Sequence, residues 1–184
     1  FDLYQTKLPK SNVKVFLIKH KFFNFKEIYL GGRKYLKDGK YTREVRDIER
    51  FVFFSKAVVE TIKKLKWNID LLHCHDWHTA LLPTFLDEYN LKYKDFKNIK
   101  TLFTIHNLAN QGISGVDIVD YAGLNKNLTP ALMEDYYDLD EDKIDAMKIG
   151  ILSADYINTV SPNYAQEILT KEYGEDLEKY LGRR

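Results

Sequence analysis

The stretch that decides the fold is Asn68–Leu91, "NIDLLHCHDWHTALLPTFLDEYNL". It begins with a short apolar run that predicts a buried β-strand over Ile69–Cys74. The polar group "HDWH" follows at once, and the spacing of the apolar residues after it predicts one helix over residues 77–91. A strand, a polar turn and a helix in this order form the repeating unit of α/β proteins.

The same order of elements recurs along the chain. Helical periodicity is clearest in "IERFVFFSKAVVETIKKLKW", where apolar residues are spaced by three and four. Because each predicted strand is almost entirely apolar, we expect a doubly wound parallel sheet covered by helices on both faces, in one domain over residues 1–184. The predicted strands of this sheet are Val13–Lys19, Ile69–Cys74, Lys100–Ile105 and Tyr156–Val160.

The segments between these strands give weaker signals. Residues 31–47, "GGRKYLKDGKYTREVRD", predict a loop, and so does the long stretch over residues 107–124. A helix is predicted around residues 140–154. Another is predicted to start with Ser161 as its N-cap and Pro162 at its first position.

Composition excludes several classes of function. The chain has 184 residues, of which 45% are apolar, so a substantial core is expected. With 28 basic and 27 acidic residues, the charge balance argues against nucleic acid or a membrane surface as a partner. We expect a cytoplasmic setting for three reasons. The apolar runs are too short to span a bilayer, there is a single cysteine, and no signal peptide is seen.

Polar clusters follow three of the predicted strands: "HDW" after "DLLHC", "HN" after "TLFTI" and "SPN" after "YINTV". Ligands of doubly wound sheets bind beyond the carboxyl ends of the strands, so the three clusters should meet at one crevice. We therefore expect Asp76 and His106 to face a shared, partly exposed cleft. His73 and Cys74 should be buried instead.

Two kinds of site fit the first cluster. A metal-dependent hydrolase could use His73 and His75, which share a face of a strand, together with Asp76 and His78, although the sequence offers no clear source of further ligands. The other kind is a carbohydrate or nucleotide-sugar site, which needs carboxylate and amide groups for hydroxyls and an aromatic or imidazole wall.

Three motifs carry a resemblance to a known family. In this order, "DLLHCHDWHTALLPTFL", "TLFTIHNLANQG" and "YINTVSPNYAQEILTKEYG" closely resemble bacterial glycogen synthases and plant starch synthases. The resemblance runs from about Val13 to the end of the chain. It implies the N-terminal Rossmann-like lobe of a two-lobed GT-B glycosyltransferase. Such enzymes transfer glucose, with retention, from ADP-glucose or UDP-glucose to the non-reducing end of an α-1,4-glucan.

The resemblance also implies which residues act. His106 matches the sugar-contacting histidine of the family, and Asp76 matches its aspartate near the glucosyl group. No metal or other cofactor is implied, because basic residues neutralise the departing diphosphate. The substrate-binding residues implied are Asn107, Trp77, Tyr35 and Gln111. Gly112, by contrast, is expected to serve a turn with positive φ rather than a phosphate contact.

Two parts of the family pattern are missing from the sequence. Its lysine-containing glycine-rich loop would lie before residue 1, and the C-terminal lobe that completes the site is absent. We therefore expect this chain to supply half of an active site, with that lobe as its partner, and to be inactive alone. A non-catalytic glucan-binding lobe stays open as an alternative.

Overall fold

The computed structural model describes residues 1–31, 34–38, 41–93, 96, 98–124, 137–138 and 143–184. The strands are β1 (Asp2–Lys7), β2 (Lys14–Lys19), β3 (Lys34–Asp38), β4 (Tyr41–Val45), β5 (Leu71–His75), β6 (Lys100–Ile105), β7 (Ile113–Gly115), β8 (Tyr137–Asp138), β9 (Lys143–Asp145) and β10 (Tyr156–Thr159). The helices are α1 (Asp47–Lys64), α2 (Asp76–Thr79), α3 (Leu82–Tyr93), α4 (Asp117–Ala122), α5 (Ala146–Ser153), α6 (Pro162–Glu167) and α7 (Glu178–Leu181), with a 3-10 turn at Lys21–Phe23.

A parallel sheet forms the centre of the fold, in the order β10, β6, β5. Its three strands confirm the α/β class and three of the four predicted strands. One face carries Cys74, Phe103 and Ile105, each at most 1% exposed. Helices α1, α3 and α5 share the core with this face, and they contribute buried side chains such as Val52 and Phe85. Apolar burial on this face stabilises the fold.

The opposite face of the parallel sheet differs from the prediction. Its side chains include Leu71, which is 49% exposed, and Tyr156, which is 59% exposed. His73 and His75 lie on the same face and are also exposed. Within the described residues the sheet is therefore covered by helices on one face, and the expectation of cover on both faces is wrong for this part of the chain.

The predicted strand Val13–Lys19 forms, but not as a member of the parallel sheet. It is β2, which pairs antiparallel with β1 in a separate two-stranded sheet, with Asp2 opposite Lys19 and Lys7 opposite Lys14. A short turn is enough to join antiparallel neighbours, whereas parallel pairing needs a crossover connection. The antiparallel partner of β2 is the preceding strand β1, which the sequence did not predict. The short connection over residues 8–13 joins the two strands.

Other boundaries also move. Residues 31–47, predicted as a loop, contain the antiparallel pair β3–β4, and residues 107–124 contain β7 and α4. The helix predicted over 77–91 is divided into α2 and α3. The helix predicted at 140–154 begins only at Ala146, because β9 pairs with β7 and Asp145 then caps α5 by accepting a hydrogen bond from the Lys148 amide at 3.0 Å.

The end of the chain agrees better with the sequence. Ser161 caps α6 by accepting a hydrogen bond from the Tyr164 amide at 3.1 Å, with Pro162 as the first helical residue. This confirms the predicted N-cap. Over the described part of the chain, no helix has both the length and the apolar character needed to cross a bilayer.

Candidate functional site

Asp76 ties together the carboxyl ends of β5 and β6. Its Oδ1 accepts hydrogen bonds from the amides of His106, at 2.7 Å, and Asn107, at 3.4 Å. The residue has a φ of +54°, in the left-handed region that side chains other than glycine seldom adopt. Such strain persists where the surrounding contacts enforce it, and it is concentrated at functional sites.

His106 lies at the end of β6 and forms a pair with His75. The His106 Nε2 and His75 Nδ1 atoms are 3.1 Å apart, and both side chains are exposed. Desolvation lowers the pKa of His75, and the nearby His73 and His106 rings lower it further when charged. At neutral pH this favours a neutral His75 that shares one hydrogen bond with His106.

A cleft of about 340 Å³ opens beside these strand ends. It combines a carboxylate, side-chain amides, a phenol and aromatic rings, the mixture of groups that suits a sugar. The predicted residues Asp76, Trp77 and Asn107 therefore come together. His106 is not one of the lining residues, but its backbone amide donates a hydrogen bond to Asp76 beside the cleft. The lining residues are Tyr29, Asp76, Trp77, His78, Asn107 and Asn110.

Trp77 is held in place by close packing. Its ring meets Phe51 edge-on at a centroid distance of 4.9 Å and stacks on His78 at 4.4 Å. Gly112 approaches from the other side with a φ of +69°, and a Cβ added there would lie 2.4 Å from Trp77 Cε3. The predicted positive φ of Gly112 is confirmed, and the close approach to Trp77 is a second requirement for glycine.

Tyr29 belongs to the cleft, although the sequence analysis did not predict it. Its hydroxyl lies 2.9 Å from His78 Nε2, and the side chain is 52% exposed. Desolvation lowers the pKa of His78 in this contact. The signal in the sequence is a tyrosine just before Gly31, in a segment without periodicity. Tyr35, predicted for this role, lies in β3, whose side chains are outside the described part of the chain.

Gln111 and the third strand end have other places in the structure. The Gln111 side-chain amide donates to the Glu175 carbonyl at 2.8 Å, beside a separate cavity formed with residues 175–180. Beyond β10, the Tyr164 hydroxyl accepts a hydrogen bond from the Leu108 amide at 2.9 Å. Tyr164, the residue after the third polar cluster, therefore holds the loop after His106, and no residue of the cluster itself lines the cleft as described.

The histidines do not form a metal site. His73 Nε2 lies 2.6 Å from Thr104 Oγ1, and Thr104 in turn donates to Asn158 Oδ1 at 2.6 Å. The predicted burial of His73 is wrong because its ring lies on the uncovered face of the sheet. In the part of the chain that is described, no three His, Cys, Asp or Glu side chains are arranged to hold a metal ion. The metal-hydrolase hypothesis is therefore unsupported.

Cys74, the neighbour of His73, is buried as predicted. It is 0% exposed, and desolvation raises the pKa of its thiol to about 12. A thiol in such an environment stays protonated and unreactive at neutral pH.

Comparisons with known proteins point to one family. The family model described as starch synthase catalytic domain matches residues 1–183. Glycogen synthase from Thermodesulfovibrio yellowstonii is 38% identical over 177 residues, covering 96% of this chain and 33% of that protein. Glycogen synthase from Fervidobacterium nodosum is 40% identical over 187 residues, covering 100% of this chain and 35% of that protein. The chain thus spans about a third of the length of these curated relatives.

A solved structure agrees with these matches. The catalytic domain of starch synthase IV from Arabidopsis thaliana, bound to ADP and acarbose, superposes with a TM-score of 0.78 at 29% identity. The similarity covers 98% of this chain and 34% of that one.

Proposed function

Because this chain belongs to the starch synthase catalytic domain family, we propose that it forms one side of the active site of a glucosyltransferase that extends an α-1,4-glucan. One observation carries the proposal. Asp76, held in a strained conformation, joins two strand ends beside a cleft lined by Tyr29, Trp77 and Asn107. Open α/β sheets bind their ligands in this place, beyond the carboxyl ends of the strands.

The groups in the cleft suit a glucosyl unit. Its hydroxyls would hydrogen-bond the Asp76 carboxylate and the Asn107 amide, while Trp77 and Tyr29 would contact its apolar face. Asp76 Oδ1 already accepts two backbone amides, and among the described residues Oδ2 has no hydrogen-bond partner. That second oxygen is the one proposed to face the sugar.

The chemistry that follows is electrostatic. During transfer the bond between the anomeric carbon and the diphosphate breaks, and positive charge develops on the sugar ring before the glucan hydroxyl attacks. The Asp76 carboxylate would stabilise that charge, and His106 would hydrogen-bond the sugar, by interactions that are strongest in the transition state. Proposed ligands are a nucleotide-sugar donor, ADP-glucose or UDP-glucose, and a glucan acceptor. The ADP bound in the Arabidopsis structure supports an adenine nucleotide donor.

The test uses the full-length protein that contains this chain. Supplied with radiolabelled ADP-glucose and glycogen, it should incorporate label into glycogen, and a parallel reaction with UDP-glucose measures donor preference. Asp76→Asn should reduce incorporation by about a hundredfold or more. Asp70→Asn, which changes an exposed aspartate before the other end of β5, is the matched control and should transfer glucose like wild type.

The possible results separate the candidate functions. Label incorporated by wild type and lost with Asp76→Asn supports the transferase. A protein that binds glycogen but incorporates no label from either donor would instead be a glucan-binding lobe, and the proposal would fail.

A further inference from the structure

Two side chains of helix α1 form hydrogen bonds with the backbone on both sides of Tyr29. On one side, Asp47 Oδ2 accepts a hydrogen bond from the Leu30 amide at 2.8 Å. On the other, Arg50 Nη1 donates to the Ile28 carbonyl at 2.8 Å. Asp47 and Arg50 also form an ion pair with each other, with Arg50 Nη1 2.7 Å from Asp47 Oδ1.

Arg50 is an unusual residue to find at this position, because only 4% of its surface is exposed. A buried guanidinium is costly unless its N–H groups are all well placed. Arg50 Nε also donates to the Phe22 carbonyl at 2.8 Å, so one side chain holds both ends of the segment that leads to Tyr29. Three aromatic rings lie 5.5 to 5.7 Å from its guanidinium carbon: those of Phe23, Phe25 and Phe51.

The Tyr29 side chain lies at the surface, where its ring has Phe51 and His78 as aromatic neighbours at centroid distances of 6.4 and 5.6 Å. It is 52% exposed, and its hydroxyl reaches His78 at the edge of the cleft. A half-exposed tyrosine on an irregular segment would lose rotational and backbone freedom on binding a ligand, and prior anchoring of its backbone reduces that loss. Pairs buried under a functional residue are a common means of holding it within the narrow limits that catalysis needs.

We propose that Asp47 and Arg50 are positioning residues that fix Tyr29 in the sugar cleft. Neither lines the cleft, so they act through the backbone of residues 28–30. The inference rests on the proposed function only in treating the cleft as a sugar site. The claim that Asp47 and Arg50 hold Tyr29 against His78 is structural and is independent of that function.

A double-mutant cycle on the full-length protein separates positioning from general stability. Arg50→Lys keeps the charge but cannot reproduce the fork of N–H donors that reaches two carbonyls and a carboxylate. If Arg50 acts through Tyr29, Arg50→Lys alone should lower kcat/KM by about tenfold. In a Tyr29→Ala background the same substitution should lower kcat/KM by much less, because the effects of coupled residues are not additive. An equal loss in both backgrounds would overturn the proposal.

A second measurement does not depend on glucosyl transfer. The Tyr29 hydroxyl covers His78 Nε2, so Tyr29→Ala should speed carbethoxylation of His78 by diethyl pyrocarbonate, followed by mass spectrometry. Arg50→Lys should speed it to a similar extent, with no further gain in the double variant. Wild-type protection of His78 in Arg50→Lys would contradict the proposal even if the protein transfers no glucose.

Two further variants complete the design. Arg46→Lys alters a neighbouring arginine that pairs with Glu49 and Asp117, and it should leave both kcat/KM and His78 protection unchanged. If Arg50→Lys does not fold, Asp47→Asn takes its place in the cycle. It removes the charge of the pair while keeping an oxygen for the Leu30 amide, and the same two outcomes decide the proposal.

Discussion

Single residues in this site are constrained by contacts that the sequence does not display. Gly112 is an example. Its positive φ was predicted from the sequence, but its close approach to Trp77 is visible only in the structure. The two requirements can be separated because Gly31 has a similar φ, +61°, with nothing within 4 Å of an added Cβ. A pair of matched substitutions therefore measures the packing contribution alone.

Gly112→Ala should destabilise the protein more than Gly31→Ala does. Both variants place an alanine in the left-handed region, at a cost of about 1 kcal/mol or more. Gly112→Ala must also displace the Trp77 ring, which adds about 1–3 kcal/mol. Urea unfolding of the two variants measures the difference, and equal losses would show that Trp77 yields without cost.

Cys74 offers a simple test of the core. Because its thiol is fully buried and its pKa is raised to about 12, the native protein should not react with a thiol reagent at pH 8. The unfolded protein should react at this one cysteine. Rapid labelling of the folded protein would mean that β5 is more accessible than described.

The predicted residues that the structure places near one another are those that directly follow a strand. Asp76, Trp77, His106 and Asn107 all come within two residues of a strand end, so sheet geometry alone brings them near one another. Tyr29 escaped notice because an irregular segment carries it, and its position depends on contacts with α1 that lie 17 to 22 residues away in sequence. Local pattern holds no information about such contacts.

Among the elements, the start of α5 has a measurable pH signature. Desolvation raises the pKa of its capping residue Asp145 to about 6, although backbone amides of Lys148 and Met147 oppose the shift. A carboxyl group with a higher pKa in the folded than in the unfolded state stabilises the fold when protonated. That stabilisation is complete below about pH 4 and is lost as the pH rises through about 6.

Asp145→Asn should remove this dependence. Asparagine caps a helix as well as aspartate does, so the variant keeps the hydrogen bond to the Lys148 amide. The free energy of unfolding of wild type relative to the variant should fall by up to about 3 kcal/mol between pH 4 and pH 7. Denaturant titrations across that range provide the measurement, and a difference that stays constant or rises with pH would contradict the assigned burial.

The secondary structure elements that were predicted well are those with strong apolar patterns. The strands of the parallel sheet agree with the sequence because each is a short, nearly continuous apolar run. Helix α1 agrees because its apolar residues are spaced by three and four. Strand β2 was placed in the wrong sheet, since an apolar run does not say whether its partner is parallel or antiparallel. The β3–β4 pair was missed because its residues do not alternate between apolar and polar.

At the scale of the whole molecule, we propose that the chain supplies one side of an active site. It spans about a third of the length of its glycogen synthase relatives. We therefore predict that the 184-residue chain by itself incorporates no label from ADP-glucose into glycogen. Turnover by this chain alone would show that the groups described here are sufficient for transfer.

The central claim is that the cleft beside Asp76 and His106 is where a glucosyl unit is transferred. His106→Ala tests it directly, with His73→Ala as the control. Both histidines are exposed and belong to neighbouring strands, but only His106 follows a strand end at the cleft, where its backbone amide donates to Asp76.

The decisive measurement is the turnover of ADP-glucose into glycogen by the two full-length variants, alongside their melting temperatures. His106→Ala should reduce kcat by about a hundredfold, the typical effect of losing one well-placed hydrogen bond in the transition state, with little change in melting temperature. His73→Ala should keep turnover close to wild type. If His106→Ala retained turnover within about twofold of wild type, an effect of less than 0.5 kcal/mol, the assignment of the cleft would be wrong.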